Sequence, residues 1–267
     1  RSGRARKAFL KESCARLGLF DHKHNAHAGS SGGNGLDILQ LLIGGIANGC
    51  IYGLVALGFV LIYKATEAVN FAQGDMMMLG AFITLAMVNE DWWGLPFLLG
   101  VAIAIVIMFA LSYLLEVVVI RSLFGQPQIA VVILTIALGF VIRFVAGVIW
   151  GHEPQSLETP MAGKSIDLGG IVLGYDELFV IIVTAVLTVV LWLFFARTRL
   201  GVAMQASSQN QLAAYYMGIP VKRISSLIWA VAGITATVAG VLFASKGAID
   251  PASGLLGIKA FAAAVIG

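Results

Sequence analysis

Apolar residues run continuously along most of the chain, and short polar stretches cut the runs into lengths that suit membrane helices. The runs cover residues 37–63, 75–88, 96–120, 129–150, 177–196 and 224–243, and a seventh opens at Gly257. A helix needs about 20 residues to cross the hydrocarbon core, and all but the second run meet or approach that length. Apolar and polar positions do not alternate, which argues against a transmembrane β-barrel. The pattern therefore predicts an all-α fold, a polytopic transmembrane helical bundle. Gly267 falls inside the seventh run, and the sequence is read as part of a longer chain.

The bundle is organised around residues 44–80. This stretch begins as an apolar helix with Gly45, Gly49 and Gly53, a four-residue spacing that places all three on one face. Such a face suits close helix packing in a membrane, and Gly49→Leu is expected to disrupt assembly. Asn48 and Tyr52 lie beside it. The helix gives way to a polar patch at residues 64–75, containing Asn70, Gln73 and Asp75, and apolar sequence resumes at Met76. Polar backbone and side chains between apolar runs survive in a bilayer at its surface, inside the protein or along a wet pathway. A broken helix of this kind is also a pointer to a translocation site. Ala232, Ala236 and Gly240 form a second small-residue face, in the sixth run.

Composition sharpens the picture. Of the 267 residues, 59% are hydrophobic and only 12% charged, about half the charged share of an ordinary soluble domain. Residues 1–35 differ: they hold seven of the 17 lysines and arginines against two acids, and end in AHAGSSGGNG. They are expected to form a basic, disordered tail, leaving residues 36–267 as the transmembrane domain. Cys14 and Cys50 are too differently placed to suggest a disulfide framework or metal site, and three of the four histidines fall in the tail. No cofactor, metal or nucleic acid is expected on this chain.

Lysine and arginine set the expected orientation. One set of loops carries Lys64, Arg121, Arg197, Arg199, Lys222 and Arg223; the alternate set carries Lys164 and Lys246 among seven acids. The first set is assigned to the cytoplasm. Trp92, Trp93 and Trp150 then fall at the outer interface, where indoles are favoured. Within the spans, Arg143 lies deep in the fourth, an expensive position that marks a functional residue by default, either lining a polar cavity or snorkelling outward. Asn48, Asn70, Gln73 and Arg143 are expected to contribute to the polar interior surface near a pathway. Glu116 lies too near the end of its span to reach Arg143, and Arg121 or a neighbouring helix is its expected partner.

The loop at residues 197–226 is the longest on the assigned cytoplasmic side. It opens on basic anchors, predicts a short helix over residues 205–217, and ends that helix at Gly218 with Pro220 just beyond. A short non-spanning helix flanked by positive charge suits the docking of a soluble partner. The loop resembles the coupling-helix region of branched-chain amino acid ABC transporter permeases, through Thr198, Arg199, Gly201, Ala203, Gln205, Ala206, Ala213, Ala214, Gly218 and Ile219. Two further blocks are similar to that family: residues 48–82, with the turn Asn70-Phe71-Ala72-Gln73-Gly74-Asp75, and GIKAFAAAVIG at residues 257–267. The family often has histidine where this chain has Gln73, and an acid at one or both of the positions held by Gln209 and Asn210.

The resemblance implies an inner-membrane permease subunit of an ATP-driven importer for branched-chain or other small aliphatic amino acids. It implies a second permease subunit, two cytoplasmic ATPases that hold the ATP and magnesium, and a periplasmic substrate-binding protein. Arg199, Gly201, Gln205, Gln209, Asn210, Ala213, Ala214 and Gly218 would form the ATPase-coupling loop. The chain has no G-x-x-x-x-G-K-[ST] and is not expected to bind nucleotide or to be an enzyme. Two alternatives stay open at this point: a related permease for urea or short amides, and a secondary transporter that works without ATPases.

Overall fold

The computed structural model describes residues 34–67, 69–90, 92–123, 126–157, 159–160, 165–167 and 172–266. By internal contacts the chain divides into residues 1–38 and 39–267; of the first unit only the helical residues 34–38 are described. The expected basic tail lies otherwise outside the described residues.

Among the described residues nine α-helices follow in chain order: α1 (Asn34–Thr66), α2 (Gln73–Val88), α3 (Phe97–Val118), α4 (Gln128–Trp150), α5 (Tyr175–Arg197), α6 (Arg199–Gln209), α7 (Gln211–Tyr216), α8 (Val221–Lys246) and α9 (Leu256–Ile266). Five of them, α1, α3, α4, α5 and α8, are long and apolar enough to cross a membrane. Short 3-10 turns at Ile120–Leu123 and Pro251–Leu255 follow α3 and precede α9. Two small antiparallel pairs lie in the α4–α5 and α8–α9 connections. One joins β1 (Gln155–Ser156) to β4 (Ala248–Ile249), with Gln155 opposite Ile249; the other joins β2 (Ser165–Asp167) to β3 (Val172–Gly174).

The sixth predicted span, now α8, is the centre of the bundle. It is 78% buried over its apolar window, against 17% for α5. It packs along α3 on one side and α2 on another. Small residues make this possible. A β-carbon on Gly233 would strike the Ser112 side chain, one on Gly240 the Met77 carbonyl, and one on Gly80 would stand 2.7 Å from the Thr237 Cα. Three threonine hydroxyls in this core are satisfied locally: Thr235, Thr237 and Thr84 donate to carbonyls three or four residues back, each at 2.8 Å.

The second predicted span holds as a helix but does not match a full crossing. With 16 residues α2 is ~24 Å long, short of the ~30 Å core. All of its residues from Gln73 to Phe82 are buried. It is thus an internal rod, with α3, α4 and α8 packed around it, and Asn70, Gln73 and Asp75 of the polar break lie within the protein.

The glycine face of α1 requires a correction. Apart from chain neighbours and the helix's own backbone, no atom of the described residues lies within 4 Å of where a β-carbon would stand on Gly45, Gly49 or Gly53. These residues are exposed and do not pack against another helix of the described chain. The close internal crossings use Gly58, Gly74, Gly80, Gly233 and Gly240 instead. Gly49→Leu is therefore expected to leave the isolated subunit's thermal unfolding midpoint in detergent unchanged. A fall of several degrees would show that the face is packed within the subunit.

Candidate functional site

The polar break folds as a connection that dips into the bundle. Glu67 takes a left-handed φ of 55°, which ends α1. Asn70 then forms an Asx-type turn: its side-chain oxygen accepts from the Ala72 amide at 3.0 Å, and its carbonyl accepts from the Gln73 amide at 3.2 Å. The Phe71 amide donates to Thr135 Oγ1 at 3.2 Å. Thr135 is seven residues into α4, so this turn lies ~10 Å along that helix from its start. The Gln73 amide nitrogen donates to the Ala232 carbonyl of α8 at 3.2 Å, in space left by Gly58, where a β-carbon would overlap it.

Asp75 and Arg143 complete the cluster. Arg143 donates to Asp75 Oδ1 from Nη2 at 2.8 Å and from Nε at 3.1 Å. The aspartate side chain is 5% exposed and the arginine 23%. Two glycines make room for the carboxylate: β-carbons on Gly139 and Gly254 would overlap its two oxygens. The position suits an anion, because Asp75 lies in the first turn of α2, where backbone N–H groups point at it. The guanidinium carbon also lies 5.6 Å from the centre of the Phe140 ring. The arginine flagged by its depth is thus held mainly by an acid from the polar break. That partner is missing from the predicted set, because in sequence Asp75 stands at the boundary of a span rather than inside one.

The four residues expected near a pathway do not form one surface. Asn70 and Gln73 are fully buried and their amides make internal hydrogen bonds. They build the break rather than line an opening. Arg143 is mostly enclosed by its ion pair. Asn48 is elsewhere, on the open face of α1, where its side-chain oxygen accepts from Lys246 Nζ at 2.9 Å.

The predicted loop helix also differs in detail. It starts earlier and is two helices, α6 and α7, divided at Asn210. Thr198 caps the first by accepting from the Gly201 amide at 2.9 Å, and Asn210 caps the second by accepting from the Ala213 amide at 2.9 Å. Gly218 ends α7 with a φ of 82°, as a C-terminal glycine should. Of the eight coupling residues, Arg199, Gln205, Gln209, Asn210, Ala213 and Gly218 are exposed. Gly201 and Ala214 are buried and face inward; a β-carbon on Gly201 would stand 2.5 Å from the Phe195 carbonyl. Gln205 faces a groove of about 300 Å³ beside Lys64, Trp192 and Met204. The surface that sequence reasoning missed is Tyr215, Tyr216 and Met217, at 68%, 80% and 82% exposure. Two large aromatic side chains and a methionine at the tip of a loop are a signal that small-residue spacing does not capture.

Immediately after this loop α8 is tied to α3. Glu116, fully buried, accepts from Arg121 Nη2 at 3.2 Å and from the Ser226 hydroxyl. Arg121 also donates to Ser226 Oγ at 2.6 Å and the Lys222 carbonyl at 3.4 Å. The expected Glu116–Arg121 pair is present.

The family of branched-chain amino acid transport system permease components matches residues 41–267. This chain belongs to that family. The permease is 30% identical over 241 residues to the high-affinity branched-chain amino acid transport system permease protein BraD of Pseudomonas aeruginosa, covering 86% of this chain and 78% of BraD. It is 28% identical over 250 residues to the corresponding permease protein LivH of Escherichia coli, covering 87% and 79%. A probable branched-chain amino acid transport permease protein of Methanocaldococcus jannaschii is 28% identical over 240 residues, covering 85% and 73%. No solved structure matches this permease. It is a multi-pass membrane protein, and family membership makes it a transport permease rather than an enzyme.

Proposed function

We propose that this chain is the inner-membrane permease subunit of an ATP-driven importer, carrying branched-chain or other small aliphatic amino acids. In this reading it pairs with a second permease subunit and receives substrate from a periplasmic binding protein. Two cytoplasmic ATPases bind ATP and magnesium and dock on the α6–α7 loop. The observation that carries the ATPase contact is the exposed tip at Tyr215–Met217, held outside the bundle by two capped short helices. Large, well-exposed aromatic side chains at a rigid tip are the residue type that anchors protein interfaces.

Loop motion has a direct route into the bundle. Lys222 and Ser226 follow the loop within two turns, and both bond Arg121 beside Glu116. A displacement of the loop would therefore move α8 and the end of α3 together, and α8 is the element packed against α2. Chemistry stays on the ATPases; this chain converts their movement into opening and closing of a path.

The experiment is the complete complex in proteoliposomes, with Tyr216→Ala and Met217→Ala combined. Loss of two interface anchors is expected to lower both ATPase co-purification and ATP-driven leucine uptake at least about tenfold, since each anchor is commonly worth 1 kcal/mol or more. Full uptake and full ATPase retention would remove the tip from the coupling role. Uptake with no ATPase present would return the protein to the secondary transporters.

A further inference from the structure

α1 carries an open wall that the internal packing does not use. Gly45, Asn48, Gly49 and Gly53 are exposed on it, and Gly45, Gly49 and Gly53 have open space where a side chain would stand. Two charges from other helices lean on its outer half. Lys246, in the last turn of α8, donates from Nζ to the Asn48 side-chain oxygen at 2.9 Å. Glu177, in the first turn of α5, places Oε1 3.0 Å from where a β-carbon on Gly44 would stand. Gly44 and Asn48 are one helical turn apart on α1.

Neither charge is neutralised. Glu177 makes no hydrogen bond or ion pair among the described residues, and Lys246 has only a neutral amide oxygen. Beside Glu177, Asp176 holds a buried carboxylate oxygen that also has no partner. The helix dipoles favour an acid at the start of α5 and a base at the end of α8, but they would be served on any face. What singles this pair out is that both charges converge on the same turn of α1 and still do not meet as an ion pair. Counting back about 20 residues from Lys64 puts Gly44 at the opposite boundary of the membrane, so this turn lies at the mouth away from the α6–α7 loop.

We infer that Lys246 and Glu177, across the Gly44–Asn48 turn, form a docking site for the zwitterionic head of an amino acid. The inference rests on the amino-acid reading above and names the contacts that read it. The Lys246 ammonium takes the α-carboxylate and the Glu177 carboxylate takes the α-ammonium. The missing side chain at Gly44 lets the Glu177 carboxylate close on the helix one turn from Asn48. A molecule with one charge leaves the other protein charge unanswered, so the site selects zwitterions over simple acids and amines of the same shape. It says nothing about the aliphatic side chain.

The test uses the complete transporter in proteoliposomes, with Cys14 and Cys50 replaced by alanine and Gly45→Cys as the reporter. The rate of maleimide labelling at position 45 is measured with leucine, with 4-methylpentanoate, which lacks the amine, and with 3-methylbutylamine, which lacks the carboxylate. At ten times its half-protecting concentration, leucine is expected to slow labelling about tenfold, and the two analogues to protect little. Lys246→Gln and Glu177→Gln are each expected to raise the half-protecting concentration about ten- to a hundredfold, while Lys246→Arg and Glu177→Asp retain protection. ATP-driven leucine uptake is followed in the same vesicles. Uptake without protection, protection unchanged in both glutamine variants, or equal protection by either analogue would overturn the site. Absence of leucine uptake in the fully assembled complex would overturn the amino-acid reading, and the site with it.

Discussion

Replacing Asp75 with alanine is expected to destabilise the permease by about 3–5 kcal/mol, the usual cost of leaving a buried charge without its partner. Arg143 would keep its guanidinium deep in α4 with nothing to answer it, since both of its hydrogen bonds go to Asp75 Oδ1. An uncompensated arginine at that depth is among the more expensive groups a membrane protein can hold. Removal of Arg143 has the mirror effect, leaving a carboxylate 5% exposed between Gly139 and Gly254. The double replacement Asp75→Ala with Arg143→Leu removes both charges and should recover much of the loss. The measurement is the fraction of monodisperse subunit surviving a temperature ramp in detergent, for the two single variants and the double. If each single variant matches the parent, or the double is no better than the worse single, the pair does not hold the bundle together. Leucine uptake by the double variant then asks a separate question: whether the pair also serves transport.

The same pair marks the limit of what the sequence could say. All six predicted spans appear as helices close to the expected boundaries, because length and continuous apolarity are local properties. Relative burial was partly legible too: α8 is less apolar than α5 and far more buried, as expected where the outside of the bundle is lipid and the inside is close-packed helix. Its small face at Ala232, Ala236 and Gly240 pointed the same way. The face at Gly45, Gly49 and Gly53 shows the same spacing and does not pack inside the described chain. Spacing identifies a face that permits close approach, and a partner must be present for the approach to happen. The Asp75–Arg143 contact links positions 68 residues apart in sequence. It depends on how far the connection before α2 dips into the bundle, which neither residue encodes alone. In the α6–α7 loop the caps and the glycine stop were readable, while the break at Asn210 was not: a run with helical propensity on both sides hides a capping asparagine in its middle.

Gly240→Leu is expected to abolish the folded subunit, whereas Gly49→Leu is expected to leave the isolated subunit's unfolding midpoint unchanged. At position 240 an added β-carbon would overlap the Met77 carbonyl and stand 3.2 Å from the Ala81 Cβ. The obstacle is backbone in the buried Gln73–Phe82 stretch of α2, so no side-chain rotation can relieve it. Overfilling a packed interior typically costs 1–3 kcal/mol where side chains can adjust, and here the cost should exceed about 3 kcal/mol because α2 and α8 must separate. Separation would break contacts beyond the substituted residue. Gly80 meets α8 at Thr237 on the same crossing, and the Gln73 bond to the Ala232 carbonyl lies two turns away. Leucine in place of glycine adds apolar surface, so a hydropathy-based account predicts better membrane insertion and no harm. Measuring membrane-inserted yield and detergent-resistant folded yield separately decides between the two. Normal insertion with loss of folded protein supports a bundle built on close backbone crossings, whereas normal values for both would mean that α2 and α8 are farther apart than the structure has them.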